Sequence, residues 1–360
     1  MRFPEFKGEW EDKKLGDLCS EFKSGKNIKS AEILEDGKFP VFGGNGLRGF
    51  THKYNYNGEY VIVGRQGALC GNVRLVEGKC YMTEHAIVIQ GSEDNNTKFL
   101  LYLLDKLNLG QYSDQSAQPG LAVNKLQKIK VTIPNLSEQN KIASFLFLLD
   151  QRIKTQIKII EDLKVLQNTL IDYYYHHQRY DKNVSLFDCI SQTSERNKKN
   201  NAFPVLSVSN KYGFIQQIEQ FENRKVASED ISNYKIVRKN DFAYNPARIN
   251  VGSIAKLIKY SNGIVSPMYI CFRAKDNFLP DFLEFYFKSK QFKNEVLKRL
   301  EGSVRQCLPF EGLCDIPVVF PPKEKQKDII TQLSAIQTKI EIETTIKELQ
   351  LKQKQHLLHQ

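Results

Sequence analysis

The strongest constraint on the fold of this chain is a duplicated long helical segment, which repeats at an offset of 187 residues, the separation of Pro134 and Pro321. Apolar residues recur at helical spacing over residues 137–175 and 323–358, with few glycine or proline breakers inside, and this pattern predicts two long helices. Each follows a strand-like run that ends in proline. The chain is therefore predicted to run in the order globular, helix, globular, helix.

The two helices carry matching apolar positions. Four apolar residues in each helix correspond at the same offset and are separated by 4, 3 and 4 residues, which is the spacing of a coiled-coil seam. Two such helices in one chain can pack on each other. The predicted seam consists of Ile142, Leu146, Leu149 and Ile153 in the first helix and Ile329, Leu333, Ile336 and Ile340 in the second.

The globular stretches repeat more loosely. Residues 39–42 resemble residues 203–206, and residues 116–121 occupy the place of residues 303–308. Short strands lie between Gly- and Asn-rich turns, with short helices late in each stretch, which predicts a mixed α+β fold. The expected organisation is two tandem mixed α/β domains, separated and followed by long helices that act as spacers. The predicted limits are 1–136 and 180–321 for the domains, and 137–179 and 322–360 for the helices.

Composition excludes several classes of protein. Hydrophobic residues make up 41% and charged residues 26% of the 360 residues, as in ordinary globular proteins and unlike disordered or fibrous chains. No apolar run approaches the ~18 residues that span a membrane, and the first residues lack a signal-peptide core, so we expect a cytoplasmic protein. The seven cysteines form no Cys-x-x-Cys pair, which indicates reduced thiols.

The net charge of +11 makes nucleic acid the first partner hypothesis, although solubility alone would also explain it. The excess of positive charge is largest in residues 180–321. The total charge is therefore only a general indication of DNA binding, and local clusters of suitable side chains in loops are needed to predict it.

Several motifs that suggest catalysis lack the context they need. A Gly-x-Gly-x-x-Gly run at residues 44–49 is not followed by a helix, so it offers no pyrophosphate site. Asn245-Pro246-Ala247-Arg248 resembles a base-gripping methyltransferase motif, but its last two residues differ and no Gly-rich S-adenosylmethionine loop precedes it. A turn fixed by proline is favoured there.

No catalytic or metal-binding residue is assigned. Asp281, Glu284 and Lys288 loosely resemble a nuclease triad, but their helical spacing is more typical of a solvated face. The histidines and cysteines form no cluster at ligand spacing.

Loops of both globular halves contain side chains that suit base reading. Asn and Gln can pair bidentately with adenine and Arg with guanine, while Lys and Tyr reach phosphates. The DNA-binding candidates of the first half are Asn45, Arg48, Lys53, Tyr54, Arg65, Gln66, Gln115 and Gln118. Those of the second half are Lys211, Tyr212, Asn245, Arg248, Asn250, Arg305 and Gln306.

Taken in order, these features resemble the DNA specificity subunit of type I restriction-modification enzymes. The resemblance spans essentially the whole chain. It rests on residues 10–18, the Asn45-Gly46 loop, residues 116–121, Ile133-Pro134 with Glu138-Gln139, and the duplicated helices.

The resemblance implies a division of labour. Each globular half would be a target recognition domain that reads one half of a bipartite target on double-stranded DNA. The helices would form an antiparallel coiled coil that sets a nonspecific spacer and docks modification subunits, which we expect to number two. The subunit itself would not be catalytic: adenine methylation and restriction, with S-adenosylmethionine, ATP and magnesium, would belong to modification and restriction subunits. Two alternatives stay open, a free-standing DNA methyltransferase and a coiled-coil adaptor that ignores DNA.

Overall fold

The computed structural model describes residues 2–113, 120–177, 183–199, 201–217, 230–302 and 306–359. The chain divides into two compact units. Unit 1 comprises Met1–Ile157 with Thr345–Gln360, and unit 2 comprises Lys158–Thr344. This division cuts both long helices, whereas the domain limits predicted from the sequence follow the helix ends.

Unit 1 is built on a six-stranded sheet in the order β2-β7-β5-β6-β3-β4, beside an antiparallel pair of β1 and β8. Its elements are β1 (Glu11–Lys14), β2 (Cys19–Ser24), β3 (Phe39–Gly43), β4 (Gly46–Thr51), β5 (Tyr56–Gly64), β6 (Val73–Met82), β7 (Ala86–Gly91), α1 (Thr97–Lys106), α2 (Val123–Gln127), β8 (Lys130–Ile133) and the first part of α3 (Leu136–Asp172).

Unit 2 contains two four-stranded sheets, β10-β17-β14-β15 and β12-β11-β16-β13, and a pair of β9 and β18. After the last part of α3, its elements are β9 (Asn183–Ser185), α4 (Leu186–Cys189), β10 (Ile190–Thr193), β11 (Val205–Ser209), β12 (Gly213–Gln216), β13 (Lys235–Arg238), β14 (Phe242–Tyr244), β15 (Ile254–Lys256), β16 (Asn262–Val265), β17 (Ile270–Ala274), α5 (Pro280–Tyr286), α6 (Lys290–Lys298), α7 (Phe310–Cys314), β18 (Pro317–Val319) and the first part of α8 (Lys323–His359).

The two units repeat one strand topology. The antiparallel pair β2–β7 corresponds to β10–β17, and the parallel contact of β3 with β6 corresponds to that of β11 with β16. Strands β5 and β6 are each continuous in unit 1. In unit 2, the place of β5 is taken by two short strands, β13 and β14. The place of β6 is taken by two others, β15 and β16. The continuous strands pair Gly58 with Gly78, both at positive φ, where a backbone without Cβ can bend. The predicted tandem repeat of mixed α/β domains is confirmed.

The two long helices each span 37 residues and run antiparallel in both units. In unit 1, Lys354 Nζ lies 2.6 Å from Asp150 Oδ1. In unit 2, Gln167 Nε2 donates to Gln337 Oε1 at 3.1 Å. Within unit 1, Leu146 and Leu357 line one cavity, and within unit 2, Tyr174 Oη, just after α3, donates to Gln332 Oε1 at 2.6 Å. In each unit, a higher residue number in the first helix is therefore matched by a lower one in the second, which is the antiparallel arrangement.

The predicted seam residues take two kinds of position. Ile142 and Leu146 belong to the hydrophobic core of unit 1, and Ile329 and Leu333 belong to the core of unit 2. The other four seam residues come later in each helix. Of these, Leu149, Ile153 and Ile340 are buried, and Ile336 is half-buried. The beginning of each helix therefore anchors it to a globular core, and the assignment of all eight residues to one seam stays a prediction.

In the part of the chain that the structure describes, no helix combines the length and the apolar character needed to cross a membrane.

Candidate nucleic-acid interface

Three corresponding segments meet in each unit. In unit 1 they are the hairpin turn between β3 and β4, the loop after the central strand β5, and the segment before α2. In unit 2 they are the hairpin turn between β11 and β12, the loop after the central strand β14, and the segment before α7. In unit 1, Leu121 N donates to Arg65 O at 2.9 Å. In unit 2, Leu308 N donates to Pro246 O at 3.1 Å. Leu121 and Leu308 are separated by the repeat offset of 187 residues, so the loop after β5 in unit 1 corresponds to the loop after β14 in unit 2.

The hairpin turn of unit 1 joins β3 to β4 and lies against the loop after β5. A Cβ added at Gly44 would lie 2.7 Å from His85 O and 3.4 Å from Arg65 N. A side chain at Gly44 would therefore clash with the carbonyl of His85, in the turn between β6 and β7. The end of β5 approaches the hairpin turn just as closely, because a Cβ at Gly64 would lie 2.7 Å from Gly44 O. The glycine-rich run that resembles a nucleotide motif is a close backbone contact between two loops.

Two arginines lie against this turn. Val41 pairs with Gly49 and Phe42 with Leu47, which leaves Arg48 as the extra residue of a β-bulge. A Cβ at Gly43 would lie 2.7 Å from Arg48 Cδ, so the absence of a side chain there makes room for Arg48.

The second arginine is Arg74, at the beginning of β6. Its Nη1 atom lies 3.0 Å from where a Cβ of Gly46 would be, and Gly46 has a φ of +101°. Arg74 is not among the residues predicted from the sequence, and no local signal indicates it, because strand pairing rather than sequence proximity brings it to the turn. His85 was also missed; its Nδ1 atom lies 3.2 Å from Gln66 Oε1.

The structure thus brings together four of the predicted residues of unit 1, which are Asn45, Arg48, Arg65 and Gln66. We call these residues with Arg74 the arginine turn. Asn45, Arg48, Gln66 and Arg74 are exposed and Arg65 is half-buried. Gln115 and Gln118 lie outside the described residues.

Lys53 and Tyr54 are placed elsewhere. They follow the far end of β4, where Thr51 pairs with Phe39. Lys53 Nζ lies 2.7 Å from Glu32 Oε1, and the Tyr54 ring packs edge-on against Phe39. The structure does not bring these two residues to the arginine turn.

In unit 2, Lys211 and Tyr212 are exposed at the turn between β11 and β12. The loop after β14 exposes Arg248 and Asn250, and it approaches the turn where a Cβ at Gly252 would lie 3.9 Å from Asn210 Cβ. Asn210, exposed at the turn, was missed by the sequence analysis.

The remaining candidates of unit 2 differ in exposure. Asn245 is buried, and its Oδ1 accepts a hydrogen bond from Ala247 N at 3.1 Å, so it fixes the turn that the proline pattern predicts. Asn245 nevertheless lines a cavity of about 350 Å³ together with Asn210 and Arg248. Gln306 is exposed, and Arg305 lies outside the described residues.

The acidic pair of α5 does not simply face solvent, as its spacing suggested. Glu284 Oε2 lies 2.9 Å from Nζ of Lys256, and Asp281 also binds this ammonium group, whose side chain is only 3% exposed. Burial alone would lower the pKa of Lys256, but the charge of Glu284 and the hydrogen bonds to both carboxylates raise it above its ordinary value. The pair has a structural role, because it neutralises a buried lysine.

Among the residues that the structure describes, the arginines at the two surfaces have no acidic partner. Within the described ranges, no ion pair involves Arg48, Arg65, Arg74 or Arg248. Free guanidinium groups beside exposed amides can bind phosphates and the edges of bases. No group of His, Cys, Asp or Glu among the described residues is arranged to hold a metal ion.

Comparison with known proteins gives one consistent result. The family described as type I restriction modification DNA specificity domain matches residues 7–164 and 188–352. The type I restriction enzyme EcoprrI specificity subunit of Escherichia coli is 40% identical over 150 residues, which cover 41% of this chain and 37% of that protein. The putative MjaX specificity subunit of Methanocaldococcus jannaschii is 26% identical over 316 residues, 77% of this chain and 71% of that protein.

The fold is also found among solved structures. The type I restriction-modification S subunit from M. genitalium superposes with a TM-score of 0.68 at 15% identity, covering 99% of this chain and 97% of that one. The chain spans only about a third to a half of the length of several curated relatives. It covers 36% of a putative specificity subunit of Haemophilus influenzae and 54% of a putative specificity subunit of Mycoplasma pneumoniae. Since the two matched blocks together cover most of its length, this chain belongs to the family built from the type I restriction modification DNA specificity domain, and it carries that domain twice.

Proposed function

We propose that this chain is the DNA-recognition subunit of a type I restriction-modification complex and that each unit reads one half of a bipartite target on double-stranded DNA. The observation that supports this most strongly is that the two units present the same pair of loops. Both units present exposed Arg, Asn or Gln side chains from a hairpin turn and from the loop after the central strand, and these loops hold equivalent hydrogen bonds at Leu121 and Leu308.

The chemistry of these side chains fits the reading of base edges. Guanidinium and amide groups form two parallel hydrogen bonds with guanine or adenine in the major groove. Lys211 and Tyr212, which are exposed at the hairpin turn of unit 2, suit contacts with phosphates that fix the register of the protein on the duplex.

The long helices are proposed to set the distance between the two half-sites and to dock two modification subunits, and restriction subunits would join the same complex. At ~1.5 Å per residue, a helix of this length extends about 55 Å, enough to separate two reading surfaces along DNA. The chain itself is proposed to be non-catalytic. Methylation of adenine and DNA cleavage, with S-adenosylmethionine, ATP and magnesium, are assigned to the partner chains.

Co-expression with the modification subunit tests the proposal. Methylated adenines are mapped across the host genome by modification-sensitive sequencing, with each chain expressed alone as a control. The proposal predicts a split motif that appears only when both chains are present. Methylation by this chain alone would favour the free-standing methyltransferase, and a stable complex without methylation would favour the adaptor.

A double variant of unit 2 sharpens this experiment. Arg248→Ala with Asn250→Ala removes two exposed side chains of the loop after β14 and should relax one half of the motif only. The matched control is Lys323→Ala with Asn277→Ala, which removes one exposed cation and one exposed amide near the start of α8 and should leave the motif unchanged.

A further inference from the structure

We infer that the half-site read by unit 1 contains G·C base pairs whose guanines are bound by the guanidinium groups of Arg48 and Arg74 at the arginine turn, one guanine by each arginine. The inference rests on the proposed function and specifies the chemistry of one of its two reading surfaces. It comes from the geometry of the turn, from the unpaired charge around it, and from the contrast with unit 2.

The turn leaves backbone without Cβ atoms where two arginine side chains lie. The side chain of Arg48 crosses Gly43, and the guanidinium group of Arg74 lies over Gly46. A Cβ at either glycine would collide with the arginine or force it to move, because the separations would be 2.7 and 3.0 Å. The β-bulge at Arg48 fixes the direction in which this side chain leaves the strand.

The arginines at the turn have no acidic partner among the described residues. Some arginines elsewhere are held by nearby carboxylates, as in the pairs Arg238–Glu195, Arg273–Asp241 and Arg299–Glu295. The side chains of Arg48 and Arg74 have no such partner in the described part of the chain, although both lie against glycines of one hairpin turn. Two positive side chains at one turn without an acid favour a ligand that offers hydrogen-bond acceptors and negative potential.

Guanine fits this arrangement better than a phosphate alone. Its major-groove edge presents two acceptors, O6 and N7, which match the planar fork of one guanidinium group. A phosphate would be held equally well by mobile lysines, whereas the methylene chain of Arg48 and the guanidinium group of Arg74 here lie against glycines of the turn. Among the residues that the structure describes, the corresponding surface of unit 2 has Asn210, Asn245 and Asn250 beside one arginine, Arg248.

The test compares variants in the co-expressed complex. Arg48→Ala and Arg74→Ala should each reduce discrimination at one G·C position of the unit 1 half-site by roughly 5- to 100-fold, while the other half-site keeps its sequence. Arg48→Lys and Arg74→Lys keep the charge but lose the fork, and they should restore binding affinity more than discrimination. The control is Lys23→Ala, which removes an exposed cation paired with Glu21 on the same unit and should leave the motif unchanged.

Three outcomes overturn the inference. The first is a unit 1 half-site without a G·C pair. The second is an unchanged motif with uniformly weaker binding and a salt dependence reduced by about one counterion in Arg48→Ala and Arg74→Ala, which would make both residues phosphate contacts. The third is relaxation of both half-sites. Because the unaltered complex first has to give a split motif, failure of the proposed function is distinguished from failure of the guanine assignment.

Discussion

Gln139 and Gln326 make the same pair of hydrogen bonds in the two units. Each side chain is only 1% exposed, accepts a hydrogen bond at 3.0 Å from a backbone N–H, that of Asn96 or of Leu279, and donates one at 3.0 Å to the carbonyl of the proline five residues earlier. Each glutamine therefore ties the start of a long helix to the start of a shorter helix in its globular half.

We predict that Gln139→Ala and Gln326→Ala destabilise their units by similar amounts. Each substitution leaves a buried backbone N–H and a buried carbonyl without a partner, which costs about 2–3 kcal/mol. Urea denaturation monitored by circular dichroism measures the loss in the free energy of unfolding. Gln151→Ala, at an exposed position of α3, should change it by less than about 0.5 kcal/mol. A loss no larger than that of this control would contradict the anchoring role.

Removing the two acidic partners of the buried Lys256 should destabilise unit 2 more than removing the lysine itself. Asp281→Ala with Glu284→Ala leaves the ammonium group of Lys256 buried and unpaired, so we expect a loss of about 3–5 kcal/mol in the free energy of unfolding. Lys256→Met should cost less than half as much, because the Asp281 side chain is 56% exposed and can be hydrated. Urea unfolding of the three proteins at pH 7.5 checks this order, and an equal or larger loss in Lys256→Met would refute it.

Buried thiols should make the protein resistant to alkylation and sensitive to alkaline pH. Burial raises the pKa of Cys80 from 9.0 to about 11 and that of Cys271 to about 12. At pH 8, both should react with iodoacetamide at least roughly 100-fold more slowly than in the unfolded chain, as mass spectrometry would show, with the partly exposed Cys307 as internal comparison. Comparable labelling of all three cysteines would contradict their burial.

The direction of the pH effect on stability follows from the same shifts. The folded state keeps these thiols protonated while the unfolded state ionises above about pH 9, so the unfolded state binds fewer protons in this range. The stabilisation by the buried thiols should be complete below pH 9 and should fall as the pH rises from about 9 to 11. Cys80→Ser with Cys271→Ser should make the fall between pH 9 and 11 less steep.

The end of α8 should depend on two leucines for its contact with unit 1. Leu357 and Leu358 pack against the core cluster of this unit and line an apolar cavity of about 490 Å³ with Trp10. Leu357→Ala with Leu358→Ala should weaken the contact by about 2 kcal/mol, since both side chains are half-buried. Hydrogen exchange over Thr345–Gln360 should then become roughly 30-fold faster. Replacement of the exposed Leu349 by Ala should leave exchange nearly unchanged.

Much of this architecture was predictable from the sequence because the period of a helix is rigid. Gln139 and Gln326 keep one constant offset since no loop of variable length lies between the proline and the helix. The globular halves align less well, because β5 and β6 are each continuous in unit 1 whereas unit 2 has separate short strands, with Asn240 at a φ of +70° after β13.

The composition of the candidate site was less predictable. Lys53 and Tyr54 are close to Arg48 in sequence, but the last three residues of β4 extend about 10 Å toward the other end of the strand, and Lys53 and Tyr54 follow there. Arg74 is distant in sequence and joins the turn because it pairs with Ile62 near the end of β5, whose last residue, Gly64, lies against Gly44. Which side chains share a surface is decided by non-local strand pairing, which a single sequence does not encode in any local pattern.

The most direct test of the two-surface account is an exchange of one unit's reading domain. Residues 180–321 are replaced by the equivalent half of a relative with a different target, the chimera is co-expressed with the modification subunit, and methylated adenines are mapped in the host genome. The account predicts that one half of the split motif changes while the other half keeps its sequence. A change in both halves, or a continuous motif without a spacer, would contradict it.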